Sequence, residues 1–263
     1  MSARDEERLS LSLADGGALE GELSHGPAIG PAAVVFVHGF GSTRKGEKAS
    51  ALEAECARRG WSFATFDLRG HGDSTGTLLD LRGTTMLEDM TRIDAALAIR
   101  GVDRLFLVGS SMGGWLASWF ARAHPQRVAA VAVLAPAFTF PDPLWAGLDD
   151  EMRHDWRTSG RLAAFNEGRR RQEELSYRLI EDAARYRRDE LARGWATPLL
   201  IFHGMQDDVV PYAESVQFVQ HAGPVVPMEL RLLNPGDHRL VDYKEEMASA
   251  FCRFFERRSA SRA

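Results

Sequence analysis

The stretch Leu105-Phe106-Leu107-Val108-Gly109-Ser110-Ser111-Met112-Gly113-Gly114-Trp115-Leu116-Ala117 runs from four apolar residues through a Gly-x-Ser-x-Gly-Gly turn into an apolar helical pattern. A buried strand entering a helix through such a turn holds the central serine in strained backbone geometry, and small neighbours make room for it. Ser111 is therefore read as an exposed nucleophilic hydroxyl and Ser110, at the first variable position, as structural. A serine at a helix start can also be a plain N-cap, but glycines at 109, 113 and 114 exceed what a cap requires.

Outward from this turn, apolar or β-branched runs fall at residues 33–37, 63–66, 128–134, 199–202 and 230–233. Helical patterns at 48–59, 86–100, 115–123, 212–222 and 243–257 separate most of them. Continuous apolar strands alternating with helices imply a mostly parallel α/β sheet covered on both faces. Ahead of them, Leu9, Leu11 and Leu13 alternate, and a second run from Leu19 to Leu23 follows Asp15-Gly16-Gly17. This predicts an antiparallel hairpin at a sheet edge, closed by an Asp-Gly turn.

Between Phe140 and Ala196 the alternation stops, and residues 144–193 hold 11 arginines against 11 acids with no convincing strand. Residues 141–195 thus read as a helical insertion into a core built from 1–140 and 196–263. Its aromatics Trp145, Trp156, Phe165, Tyr177, Tyr186 and Trp195 either pack it onto the core or line a pocket, and Trp145 is taken as a candidate substrate contact. Arg169-Arg170-Arg171 before Glu173-Glu174 fits a solvated helix face with i,i+3 and i,i+4 charge pairs.

A serine nucleophile needs a base to remove its proton and a carboxylate to orient that base. The run at 199–202 ends in His203-Gly204-Met205-Gln206-Asp207-Asp208, and Asn234-Pro235-Gly236-Asp237-His238-Arg239 follows the last run. Asp207 is assigned as the acid, with Asp208 as the alternative, and His238 as the base. His38, His71 and His203 are read as loop-ordering hydrogen-bonders, and none of the remaining histidines has a partner acid at strand-end spacing. Attack on a carbonyl develops negative charge on its oxygen, which two aimed backbone N–H groups stabilise. Met112 supplies one, and Phe40, in His38-Gly39-Phe40-Gly41 after the 33–37 run, supplies the other.

Composition narrows the function further. Hydrophobic content of 44% with 26% charged residues is that of a globular chain, which excludes whole-chain disorder. The formal charge is 32 − 37 = −5 with scattered basic residues, so nucleic acid has no electrostatic footprint. The longest apolar stretch, 128–140, is broken by Pro136 and falls short of the roughly 20 residues a membrane span needs, so no integral membrane segment is expected. Residues 1–8 carry acids and no apolar signal core, and two cysteines, Cys56 and Cys252, form neither a disulfide framework nor a zinc site. A cytoplasmic protein requiring no metal and no cofactor is expected. Arg44, Lys45 and Lys48 sit just before and within the first turn of a helical pattern, where the helix dipole opposes cations. One reading is that Arg44 and Lys45 draw a carboxylate-bearing substrate to the pocket mouth, and the other is that these cations pair with nearby acids.

His38-Gly39-Phe40-Gly41, Phe66-Asp67-Leu68-Arg69-Gly70-His71-Gly72-Asp73-Ser74, the elbow, His203-Gly204-Met205-Gln206-Asp207 and Gly236-Asp237-His238 together resemble the α/β-hydrolase superfamily over nearly the whole chain. Within it, the residues around the elbow, Gly46-Glu47-Lys48-Ala49 and Asp237-His238-Arg239 are similar to the palmitoyl-protein thioesterase and acyl-glucuronide esterase branch, and loop motifs resemble bacterial feruloyl and cinnamoyl esterases. The resemblance implies a serine hydrolase acting on small-molecule acyl esters through an acyl-enzyme, with the insertion as a cap. Thioester hydrolysis is the alternative, and a non-catalytic ligand receptor on the same fold is the alternative of another class.

Overall fold

A computed structural model describes residues 6–259. Its strands are β1 (Glu6–Ser12), β2 (Ala18–Pro27), β3 (Ala32–Val37), β4 (Trp61–Phe66), β5 (Arg104–Ser110), β6 (Val128–Leu134), β7 (Arg161–Asn166), β8 (Arg171–Ser176), β9 (Leu199–Gly204) and β10 (Met228–Leu233). Eight of them form one sheet in the order β1-β2-β4-β3-β5-β6-β9-β10. The expected hairpin stands at one edge, pairing Leu9 with Gly21 and Leu11 with Leu19, and β2 runs antiparallel to β4. From β4 to β10 every pairing is parallel.

The apolar runs are explained by burial on both faces. In β3, Ala33, Val35 and Val37 enter one core with Met86 and Ile93 of α2 (Gly83–Ile99), Trp115 and Phe120 of α3 (Met112–Ala123) and Phe218 of α8 (Ala213–Ala222). Ala32, Val34 and Phe36 enter a second core with Leu52 and Cys56 of α1 (Glu47–Arg59) and Phe251 and Phe254 of α9 (Lys244–Ser259). Each large apolar side chain buried this way contributes about 1.5–3 kcal/mol, so the sheet is fixed from both sides. The loops after β3, β5, β9 and β10 emerge together at the strands' C-terminal ends, where open α/β sheets bind ligands.

The insertion contains α4 (Asp142–Ala146), α5 (Asp150–Ser159), α6 (Arg178–Ala183) and α7 (Arg188–Ala192), but it is not wholly helical. Between α5 and α6, β7 and β8 form a separate antiparallel hairpin. The expectation of no strand fails because the period-two signal rests on a few modest residues: Leu162, Ala164 and Asn166 on β7 turn inward, with Leu175 on β8. Of the charges read as a helix face, Glu174 pairs across the hairpin with Arg161 at 2.7 Å, and Arg171 pairs along β8 with Glu173 at 2.7 Å. Arg169, expected to be solvated, lies in the turn between the strands and donates to the carbonyl oxygens of His71, Gly72, Ser74 and Gly76. Asn166 Nδ2 donates to Gly70 O at 3.0 Å, and the Gly168 N–H donates to Gly41 O at 2.5 Å. The hairpin tip therefore clasps the loops after β3 and β4.

The aromatic residues of the insertion serve mainly as packing. Trp156 and Trp195 are fully buried, and Tyr186 packs edge-on against Trp115 and Trp119. Trp145 lies 6.0 Å from Trp156 and 6.1 Å from Tyr177, ring to ring, with the Arg153 and Arg157 guanidinium groups over its face. Phe165 differs, being half-exposed on β7. Among the described residues no helix is long and apolar enough to cross a membrane, and no cluster of metal-ligating side chains occurs.

Candidate active site

Ser111 stands between β5 and α3 at φ 52°, ψ −117°, a region that costs a non-glycine residue about 1–3 kcal/mol and persists only where surrounding bonds over-determine it. Here they do: the Ser111 N–H donates to Leu134 O, and its carbonyl oxygen accepts from the N–H groups of Gly114, Trp115 and Ala137. The flanking glycines are steric requirements. A Cβ on Gly113 would run into the Val37 and His38 carbonyl oxygens, and one on Gly109 into the Gly113 carbonyl.

Ser111 Oγ lies 3.0 Å from His238 Nε2, and His238 Nδ1 lies 2.8 Å from Asp207 Oδ2. The acid and base loops meet because Gly204 lets them touch, with Gln206 N donating to Gly236 O at 2.8 Å. The Asp207 side chain is fully buried, and its Oδ1 accepts from the Val209 and Val210 N–H groups. Burial works against its charge, but hydrogen bonds from His203, His238 and the Val210 N–H prevail and hold the carboxyl well below the usual carboxylate range. Asp208, the alternative acid, faces solvent.

A second histidine also contacts this acid. His203 Nε2 lies 3.1 Å from Asp207 Oδ2 and 2.9 Å from Val210 O, while its Nδ1 lies 2.7 Å from Ser215 Oγ. This corrects its reading as a partner of loop backbone alone. The only sequence signal is the spacing of four between His203 and Asp207.

The loop after β3 packs directly on the elbow, since a Cβ on Gly39 would sit 3.4 Å from Ser111 Cβ. Two buried histidines shape it: His38 Nε2 accepts from Leu68 N at 3.0 Å, and His71 Nε2 accepts from Gly41 N at 3.2 Å. Both need a neutral imidazole for this. Burial lowers the His38 pKa, and burial together with the adjacent His38 ring pushes His71 down to about 3. With Gly41 N and Ser111 N already engaged, the N–H groups of Phe40 and Met112 have no internal acceptor among the described residues. These are the two N–H groups expected as oxyanion donors: Met112 follows Ser111 in the chain, and Phe40 follows Gly39, which packs on the elbow.

Arg44 is not at a pocket mouth. Its side chain is 8% exposed, pairs with Asp67 and lies 2.8 Å from Asp73 and 3.5 Å from Glu22. Asp67, in turn, accepts the Arg44 and Asp73 backbone N–H groups. The cation therefore braces the loops after β3 and β4, which corrects its reading as a substrate contact. Lys45 is exposed, 3.8 Å from Asp73.

Taken together, the hydroxyl, imidazole and carboxylate form a relay able to move a proton away from Ser111 Oγ, beside two free N–H groups. Comparison with known proteins agrees with this chemistry. Residues 30–245 match a protein family described as serine aminopeptidase, S33 (Hydrolase_4). The mitochondrial palmitoyl-protein thioesterase ABHD10 of Mus musculus is 31% identical over 214 residues, covering 79% of this chain and 69% of that protein. Two solved structures share the fold. A putative hydrolase from Agrobacterium vitis has a TM-score of 0.82 at 24% identity, covering 96% of this chain and 99% of that one. Est1E of Butyrivibrio proteoclasticus, solved with ferulic acid bound, has a TM-score of 0.80 at 23% identity, covering 96% and 100%.

Proposed function

We propose that this chain, which belongs to the serine aminopeptidase S33 family of α/β-hydrolases, is a serine carboxylesterase working through Ser111, His238 and Asp207. Hydrolysis of esters or thioesters follows from the family and its relatives. One observation supports the finer reading above the others: the unbroken chain of short contacts from Ser111 Oγ through both His238 nitrogens to Asp207 Oδ2.

In this reading Ser111 Oγ attacks the acyl carbonyl carbon while His238 Nε2 takes its proton. The Phe40 and Met112 N–H groups receive the oxyanion, and Asp207 stabilises the imidazolium. The intermediate collapses to an acyl-Ser111 ester, and His238 returns the proton to the departing alcohol. Water, deprotonated by the same histidine, then releases the acid and restores the serine. The insertion, clasped to the loops after β3 and β4, acts as the cap over this site. Cys56 and Cys252, both buried and outside any disulfide, fit a reducing compartment, such as the cytoplasm.

Thioester hydrolysis is the second reading, favoured by the similarity to the ABHD10 thioesterases, and it uses the same residues. Turnover of nitrophenyl esters of rising chain length, measured beside acyl-CoA and S-acyl peptides, tests the proposal. Faster cleavage of the oxygen esters supports the carboxylesterase, and faster cleavage of the thioesters replaces it with the thioesterase. No turnover of any acyl substrate by folded protein refutes both.

A further inference from the structure

Lys48 occupies the first turn of α1, where the helix dipole opposes a cation, and the mechanism above gives it no task. Its Nζ donates to Ser110 Oγ at 2.9 Å and to the Arg239 carbonyl oxygen at 3.1 Å. Ser110 immediately precedes the nucleophile and Arg239 immediately follows the base. We propose that Lys48 is a positioning residue, a strut that ties the histidine loop to the nucleophile strand and so sets the distance between His238 Nε2 and Ser111 Oγ. This rests on the serine-hydrolase reading.

The connectivity of the histidine loop supports a need for such a strut. Gln206 N on Gly236 O joins the loop to the acid loop, while Leu240 N on Asp237 Oδ1 and Tyr243 Oη on Pro235 O join it to its own neighbourhood. The bonds from Lys48 join it instead to the end of β5, one residue from the attacking oxygen. The lysine stem lines a small cavity with Phe36, Val108, Leu134 and Phe251, which holds the ammonium toward these two acceptors. Hydrogen bonds from an ionised donor are roughly twice as strong as neutral ones, so the strut depends on its charge.

That charge is titratable. Burial first, and Arg239 beside it, push Lys48 down to about 8, while Asp237 and Asp207 from the two loops and Glu47 on α1 act in the opposite sense. Lys244 of α9, which pairs with Glu47, lines the same cavity. As pH rises through about 8 the ammonium loses its proton, the two bonds lose their charge assistance, and the His238 loop is held less firmly.

The test compares wild type with Lys48→Met, Lys48→Arg, Ser110→Ala and the Lys48→Met/Ser110→Ala double variant. The readouts are kcat and KM for a nitrophenyl ester from neutral to alkaline pH, the rate of fluorophosphonate labelling, and Tm. Lys48→Met should lower kcat and labelling by about 10- to 100-fold, the range that a displacement of about 1 Å produces, with KM within about twofold. Wild-type kcat should decline as pH rises through about 8. Lys48→Arg, which stays charged, should retain more activity than Lys48→Met and lack that decline. Ser110→Ala should reproduce part of the loss, and the double variant should lose less than the two single losses multiplied together. Should Lys48→Met fail to fold, the pH profile of Lys48→Arg and the rate of Ser110→Ala decide the matter. Wild-type rates and pH profiles in the variants, a loss confined to KM, or a loss that follows Tm with an unchanged pH profile overturns the strut. A wild type that does not label at all instead refutes the serine-hydrolase reading beneath it.

Discussion

Replacing Arg44 by Met keeps most of the apolar stem and removes the charge, and the structure gives the consequence a size. The guanidinium pairs with an Asp67 carboxylate that is 1% exposed. Removing one partner of a buried ion pair costs about 3–5 kcal/mol, because the other charge is left uncompensated. Asp67 would keep the Arg44 and Asp73 backbone N–H groups, which places the cost near the lower end, about 3 kcal/mol. At about 2–4 °C per kcal/mol for a domain of this size, Tm should fall by roughly 6–12 °C. Because Arg44 faces Asp67, Asp73 and Glu22, the ratio of KM values for carboxylate-bearing and neutral esters should not change. Thermal unfolding and parallel kinetics on the two ester classes check both parts. A Tm within about 2 °C of wild type, equivalent to less than about 1 kcal/mol, would refute the buried-brace argument. So would a rise in KM confined to anionic esters, which would return Arg44 to the substrate.

His203→Phe should lower kcat by about 10- to 100-fold, the worth of one hydrogen bond to a charged group, and should move the acid limb of the pH–rate profile upward as Asp207 loses a donor; an unshifted limb counts against the second histidine. Gly168→Ala would place a Cβ 3.0 Å from Gly41 O and 2.8 Å from Thr43 Cγ2, so it should displace the Phe40 loop and reduce kcat by about tenfold or more, and wild-type kinetics would show that the hairpin tip does not support that loop. His71 is held down to about 3 against its usual 6.5, so its contribution to stability is complete above pH 6.5 and drains away as pH falls toward 3. Tm measured against pH should therefore drop more steeply below 6.5 in wild type than in His71→Gln, and parallel curves would contradict this.

Which parts of the molecule can be read from the chain depends on how each is encoded. Runs such as 128–134 and 199–202 are legible because burial on both sheet faces demands continuous apolar strands, and they coincide with β6 and the start of β9. The elbow is legible because a strained serine needs Gly109 and Gly113 as neighbours, and both have carbonyl groups in the space a side chain would take. Ser111, Asp207 and His238 are assigned from chain order and strand-end position, and the fold brings them within hydrogen-bonding distance. The hairpin of β7 and β8 escapes because its inward face offers only Leu162, Ala164, Asn166 and Leu175, while its arginines and glutamates also satisfy helical spacing. Long-range polar partners escape altogether. Nothing local says that Arg44 turns to Asp67, that Arg169 reaches four carbonyl groups near 71–76, or that Lys48 spans 62 positions to Ser110 and 191 to Arg239. Such contacts exist only once the sheet order is set.

The central claim is that Ser111 is a nucleophile activated by His238. Fluorophosphonate treatment followed by peptide mass spectrometry tests it most directly. One stoichiometric adduct is expected, located on Ser111, absent from Ser111→Ala and greatly slowed in His238→Ala. An adduct on Ser110 or elsewhere, or an equally reactive Ser111→Ala protein, would contradict it.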